Sequence, residues 1–335
     1  MKDSDIGADS HLTKHLQSID RRLFALERQA GNIMHIASAG LYQSWRRRLH
    51  PRLWTPHQYS SRRIRVPSQY RREQPPDDPP RIAIVTPSCN QGDLIAATID
   101  SVLNQKYPNL VYLVQDGAST DSTKQVLQAY GSKIEWCSEA DAGKGDAINR
   151  GFRRIDGDIM AYLNSDDVLL PGTLAYVARA FRDNPDLDVV YGHRVYIDFH
   201  GFEIGRCVLP PHDAEILKWA DYIPQETLFW RRRVWEKIGP FDESFNFALD
   251  WDFVIRAQAA GFAFRRLPRF LACFRIHNQQ KNTYMGDLGE REMHRIRSRC
   301  LVEAPGQYEI RRAIARYLLR QMVFDTIYRL GLCRY

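Results

Sequence analysis

Short apolar runs alternate with stretches of helical spacing from Arg81 onward. Ile82-Ala83-Ile84-Val85 has the pattern of a buried strand and feeds Thr86-Pro87-Ser88-Cys89-Asn90. Leu94, Ile95, Ile99, Val102 and Leu103 then follow helical spacing until Tyr107-Pro108. A second strand is predicted over 111–114, ended by Asp116-Gly117, then a helix over 123–130 and a third short strand over 134–136. Strands alternating with helices through short links predict an α/β fold with a largely parallel, doubly wound sheet.

The run over 159–163 is a further apolar strand, and it leads directly into Asn164-Ser165-Asp166-Asp167 before Pro171-Gly172 breaks the chain. In open α/β sheets, ligands bind beyond the carboxyl ends of the strands. Two adjacent carboxylates there repel each other. A hard divalent cation relieves that repulsion and also takes phosphate oxygens from a substrate. A polar turn whose Asp side chains cap backbone amides accounts for the same residues.

The flanks read differently. Leu12, Leu16, Ile19, Leu23, Leu26, Ala30 and Ile33 alternate by four and three within 8–37, a heptad seam that predicts either a short coiled coil and a homodimer or one amphipathic helix on its own domain. Residues 45–80 combine Arg clusters with Pro51, Pro56, Pro67, Pro75-Pro76 and Pro79-Pro80, the composition of a tether. The expected division is a helical segment over 1–44, a basic Pro-rich linker over 45–80, an α/β domain over 81–289 and an amphipathic helical extension over 290–335. In that extension Ile310, Ile314, Tyr317, Leu318, Met322, Phe324 and Ile327 form a broad apolar side. It suits a helix lying on anionic lipid or one packed on the domain.

The net charge of +7 resides on these flanks, and the region 81–290 is slightly acidic. That distribution speaks against a nucleic-acid groove in the core and for flanks that meet an anionic surface, such as a membrane. The six cysteines form no CxxC pair and fit neither a zinc site nor a disulfide framework. Reduced thiols, no apolar leader and no apolar run of about 18 residues give an expectation of a cytoplasmic protein, peripheral at most on the inner face of a membrane.

One ordered set of motifs carries a family likeness. It comprises Thr86-Pro87-Ser88-Cys89-Asn90, Gln115-Asp116-Gly117-Ala118-Ser119-Thr120-Asp121, the stretch from Gly143-Lys144-Gly145 to Gly151, and Asn164-Ser165-Asp166-Asp167. Gln225-Glu226-Thr227 and Asp250-Trp251-Asp252 complete it. Over about 81–285 the chain resembles the family 2 glycosyltransferases, which have the GT-A fold, use nucleotide sugars and invert the anomeric centre. The resemblance implies a nucleotide-sugar donor, a UDP sugar in the first instance, a carbohydrate or glycan acceptor, and Mn²⁺ or Mg²⁺.

Residue by residue, the resemblance places Pro87, Cys89 and Asn90 beside the base, with Asp116 accepting the uracil imide N–H. A type I turn at Asp116-Gly117 is the structural alternative. Lys144 faces the diphosphate at a helix start, or is a surface lysine. Asn164 stands where the family has an acid and can bond a ribose hydroxyl. Asp166 becomes the main metal ligand and Asp167 a second ligand or hydrogen-bond partner, with His277 completing the coordination. Arg275 or Lys281 would neutralise the leaving phosphate. Gln225, Glu226, Trp230 and Asp252 fall in the donor and acceptor sugar region, although Trp is more often core and Asp252 suits a helix cap or a salt link. Asp250 inherits the role of general base, with a helix N-terminus expected to keep it ionised. The competing functions are a nucleotidyltransferase, whose glycine-rich basic loop is missing after the first strand, and a non-catalytic sugar-nucleotide scaffold.

Overall fold

Residues 56–277, 286–301 and 305–335 are described by a computed structural model. The seam over 8–37, the Arg46-Arg47-Arg48 cluster and Lys281 lie outside the described residues.

Strand β1 (Ile82–Ser88) is buried at all seven positions, which explains its unbroken apolar run: a strand covered on both faces needs no polar alternation. Ala83 and Val85 pack into one core layer, and Ile82 and Ile84 into the layer on the opposite face. Around β1 lie β2 (Leu110–Asp116), β3 (Glu135–Ser138) and β4 (Ile159–Tyr162), all parallel, in the order β3-β2-β1-β4. The crossovers hold α2 (Ile95–Leu103), α3 (Thr123–Ala129) and α4 (Lys144–Arg154); α1 (Gln69–Arg72) precedes the sheet. Helix α4 lies so close to the sheet that a Cβ on Gly151 would stand 2.4 Å from Val85 Cγ1.

Beyond β4 the sheet becomes mixed. It continues through β8 (Phe229–Arg231), β6 (Val189–Ile197), β9 (Phe264–Arg275) and β5 (Val168–Leu169), with β7 (Glu203–Cys207) hairpinned onto β6. Strands β6 and β9 are parallel, whereas β8, β5 and β7 pair antiparallel. The parallel expectation thus holds for the first half and for β6 with β9. Helices α5 (Thr173–Arg182), α6 (Ala214–Leu217), α7 (Arg232–Ile238) and α8 (Leu249–Ala259) fill the connections, and α9 (Gly286–Cys300) and α10 (Gln307–Arg329) follow. Pairing of β5 with Ala272 and Cys273 lays the loop 163–167 beside the end of β9. That pairing builds the site.

Residues 56–80 differ from the expected tether. Gln58 N–H bonds Ile204 O at 2.8 Å, and Arg62 and Glu203 exchange backbone bonds of 3.0 and 2.7 Å. Tyr70 is fully buried, and its hydroxyl accepts Phe270 N–H at 3.0 Å. Glu73 pairs with Arg269 at 2.6 Å and with Arg179. Gly172, at φ +70, leaves room for Tyr70 O, which a Cβ there would meet at 2.1 Å. A Pro- and Arg-rich segment cannot build its own core, but this one inserts a tyrosine into a core supplied by β5, β6 and β9.

The C-terminal helix turns its predicted apolar side inward. Tyr317 is buried and packs against Tyr222 at 4.6 Å between ring centroids, and Phe324 and Tyr328 cover the cluster around Tyr70. That side is therefore spent on the domain, not on lipid. Among the described residues no helix is long and apolar enough to cross a membrane.

Candidate functional site

A cavity of about 390 Å³ opens at the carboxyl ends of β1 and β4. Pro87, Cys89, Lys144, Asn164, Asp166 and His277, six of the expected residues, line it together. Gln91 and Asp141 line it as well and were not anticipated.

Asp166 and His277 meet because β4 ends at Tyr162 and β9 at Arg275, on strands that deliver both loops to one edge. His277 Nε2 lies 3.0 Å from Asp166 Oδ2, and His277 Nδ1 is buried without a partner. Asp167 faces the other way. It is fully buried, accepts Arg275 N–H at 3.0 Å, and receives the Asn164 amide at 3.2 Å. Burial and the nearby charges of Asp166 and Glu226 push its carboxyl well above the usual carboxylate range. Of the two roles foreseen for Asp167, its geometry fits the hydrogen-bond partner. Arg275 is equally committed. Its guanidinium bonds the carbonyls of Asp166, Asp198 and Phe199 at 2.8 to 3.1 Å, so it braces the loop instead of facing a leaving phosphate.

Among the described residues no group of three His, Cys, Asp or Glu side chains converges as a metal cage. The fit therefore rests on two donors, a carboxylate oxygen and an imidazole nitrogen. Adjacent ligands about 2.1 Å from an octahedral cation stand roughly 3.0 Å apart, which matches the observed 3.0 Å. The remaining positions would fall to diphosphate oxygens and water.

Asn164 reaches the cavity with its orientation fixed. Its amide N–H donates to Gln225 Oε1 at 2.8 Å, while the Gln225 amide donates to Tyr162 O at 2.8 Å. Gln225 thus positions Asn164 and does not present itself to a sugar. Asp116 is also engaged. It is fully buried and accepts Ser119 Oγ at 2.5 Å, Ser119 N–H at 3.0 Å and Ser138 Oγ at 2.6 Å. These three bonds hold the turn, and Asp116 is not among the residues that line the cavity. Besides Asp166, the carboxylate that lines the cavity is Asp141, which accepts Gly143 N–H at 3.0 Å. Its sequence signal was an acid directly before the glycine loop. Asn90 uses its side chain on Thr120 N–H, at 2.9 Å, and ties the loop after β1 to the loop after β2.

Asp250 lies in the first turn of α8 and accepts Trp251 N–H at 3.1 Å. Burial raises its pKa, against the opposing pull of Lys144, its helix's amides and Arg194. The expected lowering by the helix terminus is thus outweighed by desolvation. Asp221 shares this environment; burial and then the charge of Asp250 push it well above the usual range. Nothing in its sequence context singled it out. Glu226 is buried and held by both nitrogens of an Arg194 fork at 2.7 and 2.6 Å, which leaves it a brace and not a sugar contact. Arg194 lies on β6, a strand whose apolar pattern the His193-Arg194 pair interrupts.

Trp230 is fully buried, packed against Phe152, Phe241 and Phe253, so it offers no face to a pyranose. Asp252 is buried between Arg256 at 2.8 Å and Arg299 at 3.1 Å, the salt link foreseen for it and not a sugar contact.

The model for glycosyl transferase family 2 matches residues 83–260. A PGL/p-HBAD biosynthesis glycosyltransferase of Mycobacterium bovis is 30% identical over 182 residues, which is 53% of this chain and 69% of that relative. An uncharacterized glycosyltransferase of Nostoc sp. is 25% identical over 250 residues, 68% of this chain and 74% of that one. Among solved structures, S. aureus TarS 1-349 in complex with UDP-GlcNAc superposes with a TM-score of 0.52 at 18% identity, covering 73% of each chain. In the longer TarS structure the match spans 44% of that chain. The mannosyltransferase PcManGT from Pyrobaculum calidifontis, in complex with GDP-Man and Mn2+, gives a TM-score of 0.54 at 18% identity over 92% of this chain and 81% of that one. At such identities the structural likeness is one of fold.

Proposed function

The chain belongs to glycosyl transferase family 2 and has the GT-A fold, and we propose that it moves a sugar from a UDP sugar to an acceptor hydroxyl of a glycan, with inversion. The observation that carries this reading is the meeting of Asp166, His277, Asn164 and Lys144 on one cavity, with Lys144 near enough to Asp250 for its charge to act on that carboxyl.

In this reading the acceptor oxygen attacks the anomeric carbon, the bond from that carbon to the diphosphate oxygen breaks with its electron pair, and the acceptor proton passes to Asp250. A raised carboxyl pKa suits a general base, because proton affinity drives the transfer. Lys144, whose charge reaches Asp250, stands at the α4 terminus, where its ammonium and the helix amides favour an anion. Asp166 and His277 would hold Mn²⁺ or Mg²⁺, which supplies positive charge to the departing diphosphate. Asp141, which lines the same cavity, is the carboxylate assigned in this reading to the base. The TarS complex with UDP-GlcNAc supports a uracil nucleotide, and the mannosyltransferase complex with GDP-Man and Mn2+ supports the cation. The mycobacterial relative, named a PGL/p-HBAD biosynthesis glycosyltransferase, supports a glycosyl transfer within a biosynthetic route.

Nucleotide release from a panel of UDP and GDP sugars, with Mn²⁺, with Mg²⁺ and with chelator, tests the reading. Turnover of a UDP sugar that needs the cation supports it. Tight nucleotide binding without turnover of any donor, with glycan acceptors present, would make the protein a non-catalytic scaffold.

A further inference from the structure

Helix α10 is apolar on two opposite sides. Tyr317, Gln321 and Phe324 face the domain. On the opposite side Tyr308, Leu319, Val323 and Leu330 stand exposed, and Leu332 follows at the end of the chain. The spacing of 308, 319, 323 and 330 puts them within one narrow sector of a 3.6-residue helix. Arg312 and Arg316 share that sector, Arg311 borders it, and none of the three has a carboxylate partner among the described residues.

The stripe runs into a second cavity, of about 620 Å³, between residues 58–67 and 325–335. Its floor includes Tyr328 and Tyr335, stacked at 5.8 Å with planes 20° apart. Arg62 and Arg206 are neutralised there by Glu203 at 2.6 and 2.7 Å, and Arg329 by Asp325 at 2.5 Å. Arg65 and Arg334 also line it, exposed and without a carboxylate partner among the described residues. Leu330 and Leu332 adjoin the lining residues Gly331 and Cys333.

We propose that this end of the molecule docks on a membrane surface of anionic phospholipid, with the outer stripe of α10 against the acyl boundary and a lipid phosphate in the Arg65–Arg334 cavity. Two kinds of complementarity point to this occupant and not to a neutral apolar partner. Leucines exposed beside unpaired arginines match a layer that is apolar below and anionic at its surface. A cavity with a basic rim over aromatic rings matches a phosphate joined to an apolar body. The inward face of α10 is already spent on the domain, so docking costs no unfolding.

The test is flotation of the full chain with vesicles of phosphatidylcholine, with and without phosphatidylglycerol. Binding is expected only with phosphatidylglycerol. It should fall by about tenfold or more in Arg65→Glu/Arg334→Glu, since each basic residue near an anionic surface contributes roughly a factor of five. Leu319→Ser/Val323→Ser should weaken it comparably, and millimolar inorganic phosphate should leave it largely intact. Melting curves and UDP binding establish that the variants fold. If the double Glu variant does not, Arg65→Gln/Arg334→Gln replaces it. Equal binding to both vesicles, or wild-type binding by the variants, overturns the proposal. So does release by inorganic phosphate, which makes the cavity a free-phosphate site. A wild-type oligomer that Leu319→Ser/Val323→Ser dissociates without vesicles also overturns it, by making the stripe a contact between copies.

Discussion

His277 Nε2 stands 3.0 Å from Asp166 Oδ2 across a separation of 111 positions. If this pair holds a cation that also binds the diphosphate, Asp166→Ala should weaken UDP binding in Mn²⁺ by about 100-fold, the upper range for losses in metal-site support. Uridine, which lacks phosphate, should bind as before. Calorimetry with both ligands decides; equal losses would remove the metal role.

Asp250→Asn should lower kcat by about 10²-fold or more while leaving UDP affinity nearly unchanged, as for loss of a general base. The base works ionised and its pKa is raised by burial. The wild-type rate should therefore fall as pH drops through a value above the ordinary carboxylate range. An acid limb at the usual carboxylate position, or a fully active Asn variant, would refute the assignment.

Asp221 offers a linked prediction. Its folded-state pKa lies well above its unfolded one, so the folded chain holds the proton more tightly. Stability should fall as pH rises from the ordinary carboxylate range through that raised value. Asp221→Asn removes the penalty and should raise the Tm at pH 7 by about 2 °C or more, with no gain at pH values below an ordinary carboxylate pKa. Scanning calorimetry across pH reads the effect.

Tyr70→Ala should cost about 3–5 kcal/mol in urea unfolding, the range for removing a buried aromatic side chain. A freely hanging tether would lose almost nothing, so a cost under about 1 kcal/mol would mean that residues 56–80 do not pack on the domain.

Much of the site was readable before any fold was known. Asn164, Asp166 and Lys144 sit where an apolar strand or a glycine loop ends, and strand ends are where α/β sheets open to ligands. Asp116 lies off the cavity lining for a physical reason. A carboxylate at a strand end looks the same in sequence whether its oxygens face a cavity or bond Ser119 and Ser138. Glu226 and Trp230 were misplaced likewise, since burial by Arg194 or Phe253 depends on partners far along the chain.

The sequence by itself determined the alternation of strand and helix, the parallel half of the sheet, the motif order that identified the family and the loops that end at the cavity. These are local properties: apolar period, turn residues and composition act within a few residues of each other. The tertiary structure alone decided that β8, β5 and β7 run antiparallel, that Asp141 and not Asp116 lines the cavity, and that Asp221 shares the environment of Asp250. It also decided that residues 56–80 pack on the domain through Tyr70 and that α10 spends its predicted apolar side inward. Each of these depends on which distant groups exclude water from which, and burial is a property of the packed whole.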